Sequence, residues 1–284
     1  MMSSNNYLSI YAKSFNWAGF FLPKKIYIKC SALYDFCRTI DNIADDSENL
    51  NLKKKKLISF KNSFNNKQND NPIIKNMWEL INDYKISTKI INDLFDGAES
   101  DLKDKIQLNS KKDLLVYSYR VAGTVGLMMA KILNVKNQVA LKSAVDLGIA
   151  MQLTNISRDV LEDAKNNRSY ISANFESIRE TIKLADLFYD SSFTSIKEIP
   201  LNLRFAILVA RRVYRQIGYK ILKKKNIENY NNSGKIYISN FGKIIQTFFC
   251  IFDLLRLSLV QGKYDFRDKE HLIIKEEINL DERF

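Results

Sequence analysis

Residues 146–164 read DLGIAMQLTNISRDVLEDA. Gln152, Asn155, Asp159 and Asp163 recur every three or four residues, which places them within an arc of about 80° on a helix. Apolar residues surround this polar stripe. Unpaired polar groups are costly to bury, and Asn and Asp supply the oxygen ligands that Mg²⁺ prefers. The stretch therefore predicts a long helix with a site for a hard cation, and the alternative is an amphipathic surface helix.

A second stripe lies upstream in SALYDFCRTIDNIADD, residues 31–46. Asp41 and Asp45 stand one turn apart, and the same face carries Ser31, Tyr34 and Arg38. Both carboxylates can reach one ion, although such a pair also occurs on solvated helix faces. Two acidic helices facing across a cavity would bind a diphosphate through Mg²⁺.

A third stripe, in YSYRVAGTVGLMMA (residues 117–130), consists of small residues. Tyr119, Gly123, Gly126 and Ala130 share one helical face. Each glycine inside a helix costs about 1 kcal/mol relative to alanine, so the pair needs a reason. One explanation is close packing of another helix. The other is a groove for a long apolar ligand, with Tyr119 at its polar end.

The amino-acid composition indicates the fold class. Pro occurs 3 times and Gly 9 times, too few for the frequent turns of a β-sandwich, whereas 46% hydrophobic residues can form a large core. Helical periodicity covers about 24–46, 111–133 and 137–165. The Asn- and Lys-rich sequence after the first of these ends in the most loop-like segment, NNKQNDNP (65–72). Without a linker or repeat, the sequence predicts a single all-α domain over 1–284.

Histidine and cysteine usage excludes several kinds of site. The one histidine, His271, makes a Ser-His-Asp triad or a multi-histidine zinc or iron site improbable. The three cysteines, Cys30, Cys37 and Cys250, match no metal or redox spacing and indicate buried thiols in a reducing compartment. Any metal should therefore be a hard cation held by oxygen.

The chain carries 44 Lys and Arg against 32 Asp and Glu, a net charge of +12. Nucleic acid, an anionic membrane surface, a diphosphate substrate and simple compositional drift all fit this charge, but no nucleic-acid motif accompanies it. The N-terminus lacks the features of a secretory signal. The apolar stretch 248–260 contains Asp253 and Arg256 and is too short to span a bilayer. We expect a core helix there, and the alternative is an apolar helix that faces a membrane. We expect a cytoplasmic protein, with peripheral membrane association as the alternative.

Three motifs resemble those of the squalene/phytoene synthase family. They are FCRTIDNIADD (36–46), YRVAGTVG (119–126) and DLGIAMQLTNISRDVLEDAKNNRSYI (146–171), preceded by an SF pair at residues 14–15. The resemblance covers Ser14 to Ile171. It implies an isoprenoid-synthase-type helical domain with two aspartate-rich helices flanking a central apolar channel, in which two prenyl diphosphates are joined head to head.

The resemblance also implies residue roles. Metal ligands would be Asp41, Asp45, Asn155, Asp159 and Asp163. Substrate-binding positions would be Lys13, Ser14, Phe15, Tyr34, Arg38, Gly123, Gly126, Gln152, Asn155, Arg158 and Tyr230. Catalytic positions would be the four aspartates, Arg38 and Tyr119. The late segment ENYNNSGKIYISNFGK (228–243), which contains Tyr230, departs from the Arg-rich stretch that members often show.

The implied reaction is condensation of two geranylgeranyl diphosphates to phytoene via prephytoene diphosphate. The implied cofactor is Mg²⁺, with Mn²⁺ as the alternative metal, and no NADPH is expected. Three alternatives stay open: a squalene or dehydrosqualene synthase acting on farnesyl diphosphate, a non-catalytic assembly factor, and nucleic-acid binding, which only the charge suggests. We expect no nucleic-acid partner, and a monomer or a weak homo-oligomer.

Overall fold

Long helices form most of the chain in a computed structural model that describes residue 7 and residues 13–46, 48–260 and 268–284. The side chains of Lys13 and Ser14 lie outside the described part, so their predicted roles in substrate binding stay predictions. The all-α fold class is confirmed. The prediction that residues 1–284 form one domain stays a prediction.

The elements are, in chain order, α1 (Lys13–Gly19), α2 (Lys24–Asp45), α3 (Leu50–Asn65), α4 (Pro72–Tyr84), α5 (Thr88–Ser100), β1 (Ile106–Gln107), α6 (Lys111–Ser118), a π-helical turn (Tyr119–Gly123), α7 (Thr124–Ile132), α8 (Gln138–Lys165), β2 (Arg168–Ser169), α9 (Phe175–Phe193), a 3₁₀ turn (Thr194–Glu198), α10 (Leu201–Leu222), α11 (Ile227–Asn231), α12 (Asn240–Leu259), α13 (Lys269–Glu277) and a second 3₁₀ turn (Leu280–Glu282).

Helix α3 was not predicted, because its Lys- and Asn-rich composition resembles a loop. Its apolar residues Leu57, Phe60 and Phe64 nevertheless follow helical spacing, and all three are buried. Asn49 caps the helix, since its side-chain oxygen accepts a hydrogen bond from the backbone N–H of Leu52. The polar residues therefore form the solvent face of an amphipathic helix, and the loop begins only after Asn65.

Helix α8 is the central helix, packing against α7, α9 and α10 and against the π-helical turn. An apolar face runs through its middle, where Val145, Ile149 and Leu153 are fully buried. The predicted polar stripe begins at Gln152 and continues to the end of the helix. Because one end of α8 is fixed in the core, its other end can hold charged groups in defined positions.

The crossing of α7 and α8 explains the glycine stripe. A Cβ added at Gly126 would lie 2.2 Å from the carbonyl oxygen of Ala144, and one at Gly148 would lie 2.2 Å from that of Ala122. Only a residue without a side chain allows this backbone approach. The space beside both glycines is therefore filled largely by α8, as the close-packing explanation predicts. Gly126 nevertheless borders the large cavity described below, and the predicted roles of Gly123 and Gly126 in substrate binding stay predictions.

The prediction of a core helix over 248–260 is also wrong in part. The stretch belongs to α12, which buries Cys250 and Leu257 but leaves most of its aromatic side chains exposed. Among the helices that the structure describes, none combines the length and apolar character that a bilayer crossing requires.

The helix crossing gives a direct stability test. We expect Gly126→Ala to lower the free energy of unfolding by ~1–3 kcal/mol, the usual cost of overpacking. Gly218→Ala is the matched control, since its Cβ would meet only the flexible Ile182 side chain at 3.2 Å. Urea denaturation of both variants measures the difference. Equal stability of the two variants would contradict the backbone contact at Gly126.

Candidate active site

A cavity of about 1310 Å³ runs along the centre of the structure. It borders α8 from Ala144 to Asp163, a distance of about 28 Å at 1.5 Å per residue. Small-molecule pockets typically measure ~300–1,000 Å³, so this one suits a large ligand or two ligands. One end carries charged groups, and the rest is mainly apolar, with Leu22, Val125, Met129 and Ile207 among its lining residues.

The first acidic stripe lines the polar end, as its spacing predicts. Tyr34, Arg38, Asp41 and Asp45 of α2 all border the cavity. Asp45 is the last residue of the helix, so both aspartates lie in its C-terminal turns. The carbonyl ends of a helix carry partial negative charge, which adds to that of the carboxylates and favours a bound cation.

The second stripe borders the same end from α8, through Gln152, Asn155, Arg158, Asp159 and Asp163. Arg158 binds the Asp159 carboxylate with two hydrogen bonds, Nε to Oδ1 at 2.9 Å and Nη2 to Oδ2 at 2.6 Å. The Asn155 amide nitrogen points to Gln152 Oε1 at 3.5 Å. The structure thus brings both predicted stripes to one cavity.

A short parallel pairing of β1 with β2 positions a further cation at the polar end. Ile106 pairs with Arg168 and Gln107 with Ser169. This pairing places Arg168 against the end of α2, where Nη1 donates to Asp45 Oδ1 at 2.7 Å. The sequence shows Arg168 as a cation after the second stripe, but its contact with the first stripe depends on the strand pairing.

Asp101, Tyr117 and Tyr170 form a lining cluster that sequence reasoning missed. The two tyrosine hydroxyls donate to opposite oxygens of the Asp101 carboxylate, at 2.8 and 2.9 Å. Their rings stack with centroids 4.7 Å apart. Burial raises the pKa of Asp101 and of both tyrosines. Asp101 follows α5, which carries neither acidic stripe, so only the fold reveals this further carboxylate at the polar end.

Burial and neighbouring carboxylates raise the pKa of one aspartate in each stripe. Burial is the larger cause at Asp41, and Asp45 and Asp101 add to it, so its pKa rises to about 7. Burial and then Asp159 raise the pKa of Asp163 to about 7. Both groups are therefore held in surroundings that oppose their negative charge unless a further cation is present.

The donor set fits a hard divalent cation. Within the described residues, the buried Oδ1 atom of Asn155 receives no hydrogen bond, so it can serve as a ligand. Carboxylate and amide oxygens are the ligands such cations use. The described parts of the chain contain no ready cluster of three or more Asp, Glu, His or Cys side chains around one point. A bound metal therefore needs additional oxygen ligands, which a diphosphate can supply.

Two predicted positions lie away from the cavity. The Tyr119 hydroxyl donates to Asp93 Oδ2 at 2.7 Å, and Arg283 binds the same carboxylate at 2.9 and 3.0 Å. Neither Tyr119 nor Gly123 is among the lining residues. The π-helical turn is the reason: its bond from Thr124 N–H to Tyr119 O spans five residues, which displaces Tyr119 from the face that α7 continues. The structure therefore does not bring Tyr119 to the cavity, and its catalytic role stays a prediction.

Tyr230 also lies behind the cavity wall rather than in it. Its hydroxyl donates to the backbone carbonyls of Ser157 and Arg158, at 3.0 and 2.7 Å, and burial raises its pKa to about 12. It supports the backbone of the second stripe. The lining residues from this late segment are instead Lys235 and Tyr237, and the Nζ atom of Lys235 lies 3.3 Å from Asp159 Oδ1.

The apolar part contains one predicted position from the N-terminal pair. Phe15 lines the cavity, and its ring centroid lies 4.9 Å from that of Tyr214, which also lines it. The sequence gives no separate signal for Tyr214, because its apolar neighbours make it look like an ordinary core residue.

Comparisons with known proteins agree with this architecture. Residues 8–175 match the model of the family described as squalene/phytoene synthase. A 15-cis-phytoene synthase from Pantoea ananas is 28% identical over 247 residues, which are 75% of this chain and 80% of the relative. A phytoene synthase from Pseudescherichia vulneris is 30% identical over 223 residues, 66% of this chain and 72% of the relative.

Solved structures share the fold. A dehydrosqualene synthase in complex with ligand gives a TM-score of 0.70 at 24% identity, covering 88% of this chain and 94% of that one. A squalene synthase from Alicyclobacillus acidocaldarius gives 0.65 at 16% identity, covering 78% and 90%. At these identities the likeness establishes the isoprenoid-synthase-type fold alone.

The raised pKa values predict how stability changes with pH. Asp41 and Asp163 have folded-state pKa values near 7 against an ordinary 3.8, so folding takes up protons between these values and stability falls as pH rises through that window. We expect Asp41→Asn/Asp163→Asn to be more stable than wild type at pH 8 in chelator, on the order of 1 kcal/mol after solvent screening. The gain should vanish towards pH 4.

Thermal melts across this pH range measure the effect. Asp70→Asn is the control, because Asp70 is exposed in the loop before α4 and should leave the profile unchanged. A stability gain that is the same at pH 4 and pH 8 would contradict the raised pKa values.

Proposed function

Because the chain belongs to the squalene/phytoene synthase family, we propose that it condenses two molecules of geranylgeranyl diphosphate head to head, forming phytoene via prephytoene diphosphate. The observation that carries the proposal is the cavity of about 1310 Å³, which is acidic and cationic at one end and apolar along the rest. That division matches a substrate with a charged head and a long hydrocarbon tail. The names of the Pantoea and Pseudescherichia relatives support the C20 substrate.

We assign the metal to the two stripes. Asp41 and Asp45 on α2, and Asn155, Asp159 and Asp163 on α8, would hold Mg²⁺ or, alternatively, Mn²⁺. When bound, the metal supplies Lewis-acid neutralisation of the leaving diphosphate. The raised pKa values of Asp41 and Asp163 and the unsatisfied Asn155 oxygen support this assignment.

Of the cationic side chains that line the polar end, four would bind the diphosphate oxygens. They are Arg38, Arg158, Arg168 and Lys235. Guanidinium groups suit this task, since their planar donors match diphosphate oxygens in pairs. Arg158, Arg168 and Lys235 already contact aspartates of the stripes, so carboxylates and cations alternate around the place proposed for the diphosphate.

The first chemical step breaks the C1–O bond of one substrate, leaving an allylic cation and diphosphate. The double bond of the second substrate then forms a bond to C1, and loss of a proton closes a cyclopropane ring. A second C–O cleavage, rearrangement and proton loss give the C40 hydrocarbon. The chain's task during these steps is to exclude water, and side chains such as Val125, Met129 and Ile207 line the cavity for that purpose.

Proton loss needs a base, and no histidine lines the cavity. Tyr34, Tyr117 and Tyr170 line it with pKa values raised by burial, so their hydroxyls stay neutral and can orient a water molecule. Released diphosphate, held by the cationic side chains, is the other base. Because the last step of the proposed reaction is loss of a proton and not a reduction, the reaction requires no NADPH.

The setting of the enzyme is also part of the proposal. We propose a cytoplasmic enzyme that attaches peripherally to a membrane, as a monomer or weak homo-oligomer and without a nucleic-acid partner. The insolubility of a C40 hydrocarbon supports the membrane, because the product needs an apolar phase to enter.

The role of the second stripe can be tested at Asp159. We expect Asp159→Asn to lower turnover by about a hundredfold or more, since outer-shell changes alone cost 10–100-fold. Asp186→Asn is the matched control, because Asp186 also pairs with an arginine, Arg215 Nε at 2.8 Å, but does not line the cavity. Circular dichroism and thermal melts must show that both variants fold. Near-normal turnover of Asp159→Asn at limiting Mg²⁺ would refute the metal assignment.

Substrate choice is decided by product analysis. With labelled C15 and C20 diphosphates and Mg²⁺, we expect a C40 hydrocarbon from the C20 substrate without NADPH. A C30 product would assign the chain to squalene or dehydrosqualene synthesis. Absence of any condensation with folded protein would favour a non-catalytic assembly factor.

A further inference from the structure

Helix α12 presents a broad apolar face to its surroundings. Phe241 is 72% exposed and Phe252 55% exposed. The spacing of the exposed residues follows one side of the helix over its whole length. The exposed apolar residues of α12 are Phe241, Ile244, Ile245, Phe248, Phe249, Ile251, Phe252, Leu255 and Leu259.

The buried side of α12 contains, by contrast, two charged residues among its four buried ones. Lys243 and Asp253 are both buried, and Asp253 accepts a hydrogen bond from Arg212 at 2.6 Å. Thr247 accepts one from the indole nitrogen of Trp17 at 3.0 Å. Apart from Cys250 and Leu257, which are buried, most apolar side chains of α12 lie on its outer face, whereas an ordinary surface helix buries its apolar face. Such an arrangement is stable when the outer face meets an apolar phase, since exposed apolar area of this extent is unfavourable in water.

The apolar surface continues onto two neighbouring elements. Phe20, 74% exposed, and Phe21 follow α1, and Leu201 begins α10. Ring contacts connect the two phenylalanines to the body of the protein. The ring centroids of Trp17 and Phe20 lie 6.4 Å apart, and those of Phe21 and Phe205 lie 5.0 Å apart. Together with the exposed residues of α12, these three residues are called the docking face below.

The docking face adjoins the apolar part of the cavity. Gly19 lines the cavity and precedes Phe20, and Leu22 lines it and follows Phe21. Ile199 and Ala206 line it on either side of Leu201. The same short segments therefore carry the cavity wall on one side and the exposed apolar surface on the other.

Charge indicates what covers this face. The only acidic residue of α12 is Asp253, which is buried and paired with Arg212. Exposed Lys24 and Lys25 follow the Phe20–Phe21 pair, and Arg256 is exposed on α12. Aromatic side chains bordered by basic ones suit the interface of a bilayer that contains anionic lipid. A second copy would bring these cations, and a net charge of +12 on each chain, against themselves.

We propose that the docking face binds the surface of an anionic bilayer, with α12 lying in the interface and the apolar part of the cavity opening beside it. The bilayer then receives an apolar product directly. Delivery of this product rests on the proposed function, whereas binding of the protein to vesicles does not depend on it.

The test is flotation of the full-length protein with phosphatidylcholine vesicles and with vesicles that also contain phosphatidylglycerol. We expect wild type to float with the anionic vesicles. Phe248→Gln/Phe252→Gln should bind at least about tenfold more weakly, because two aromatic rings that would be buried in the bilayer are lost. Ile58→Gln and Leu272→Gln are matched controls: these residues are 57% and 53% exposed, on α3 and α13, and should bind as wild type. Lys24→Gln/Lys25→Gln should weaken binding to anionic vesicles only.

Three results would overturn the proposal. They are no vesicle binding by wild type, equal loss in the control variants, and a stable dimer that Phe248→Gln/Phe252→Gln dissociates. The oligomeric state is measured by light scattering on the same preparations. Because flotation uses no substrate, failure of the condensation assay leaves this result standing. Conversely, the Phe248→Gln/Phe252→Gln variant should keep turnover in detergent micelles and lose it only with vesicles.

Discussion

Negative charge gathered at the C-terminal ends of two helices is the constraint on which the rest of the structure depends. Asp41 and Asp45 lie in the last turns of α2, and Asp159 and Asp163 lie near the end of α8. The negative end of each helix dipole is therefore close to these carboxylates and adds to their negative charge. Like charges in a partly dry cavity repel, so each needs a cation, a proton or a hydrogen bond. The pKa values near 7 at Asp41 and Asp163 measure what the chain's own groups leave uncompensated.

The surrounding elements are arranged to supply cations and to hold the two helices at a fixed separation. The β1–β2 pairing brings Arg168 to Asp45, and the segment after α11 brings Lys235 to Asp159. Tyr230 fixes the α8 backbone between them. At the other end of α8, the glycines at the crossing with α7 allow the two backbones to come into contact, and Gly126 and Gly148 both border the cavity there. Charge therefore determines one end of the cavity, and steric fit determines the other.

Sequence periodicity predicted the parts of the site that lie on regular helices. Both acidic stripes reached the cavity because α2 and α8 are uninterrupted, so spacing in the chain equals spacing on a face. The prediction that Tyr119 borders the cavity was not met for the converse reason, because the π-helical turn changes the number of residues per turn. Asp101 and Lys235 were missed because they lie outside helices, where only the tertiary fold determines neighbours.

The two ends of the cavity, finally, face different surroundings. The acidic end gathers cations and water-soluble head groups, and the apolar end adjoins helix α12, which buries Lys243 and Asp253 while exposing phenylalanines. Buried charges that have partners cost little, whereas exposed aromatic rings are unfavourable in water. The exposed rings of α12 would therefore be stabilised by contact with an apolar phase outside the protein. Because Gly19 and Phe20 are neighbours in the chain, the cavity wall and that outer surface cannot be separated. A ligand with a charged head and a hydrocarbon body is thereby aligned along the same axis as the protein's own polarity.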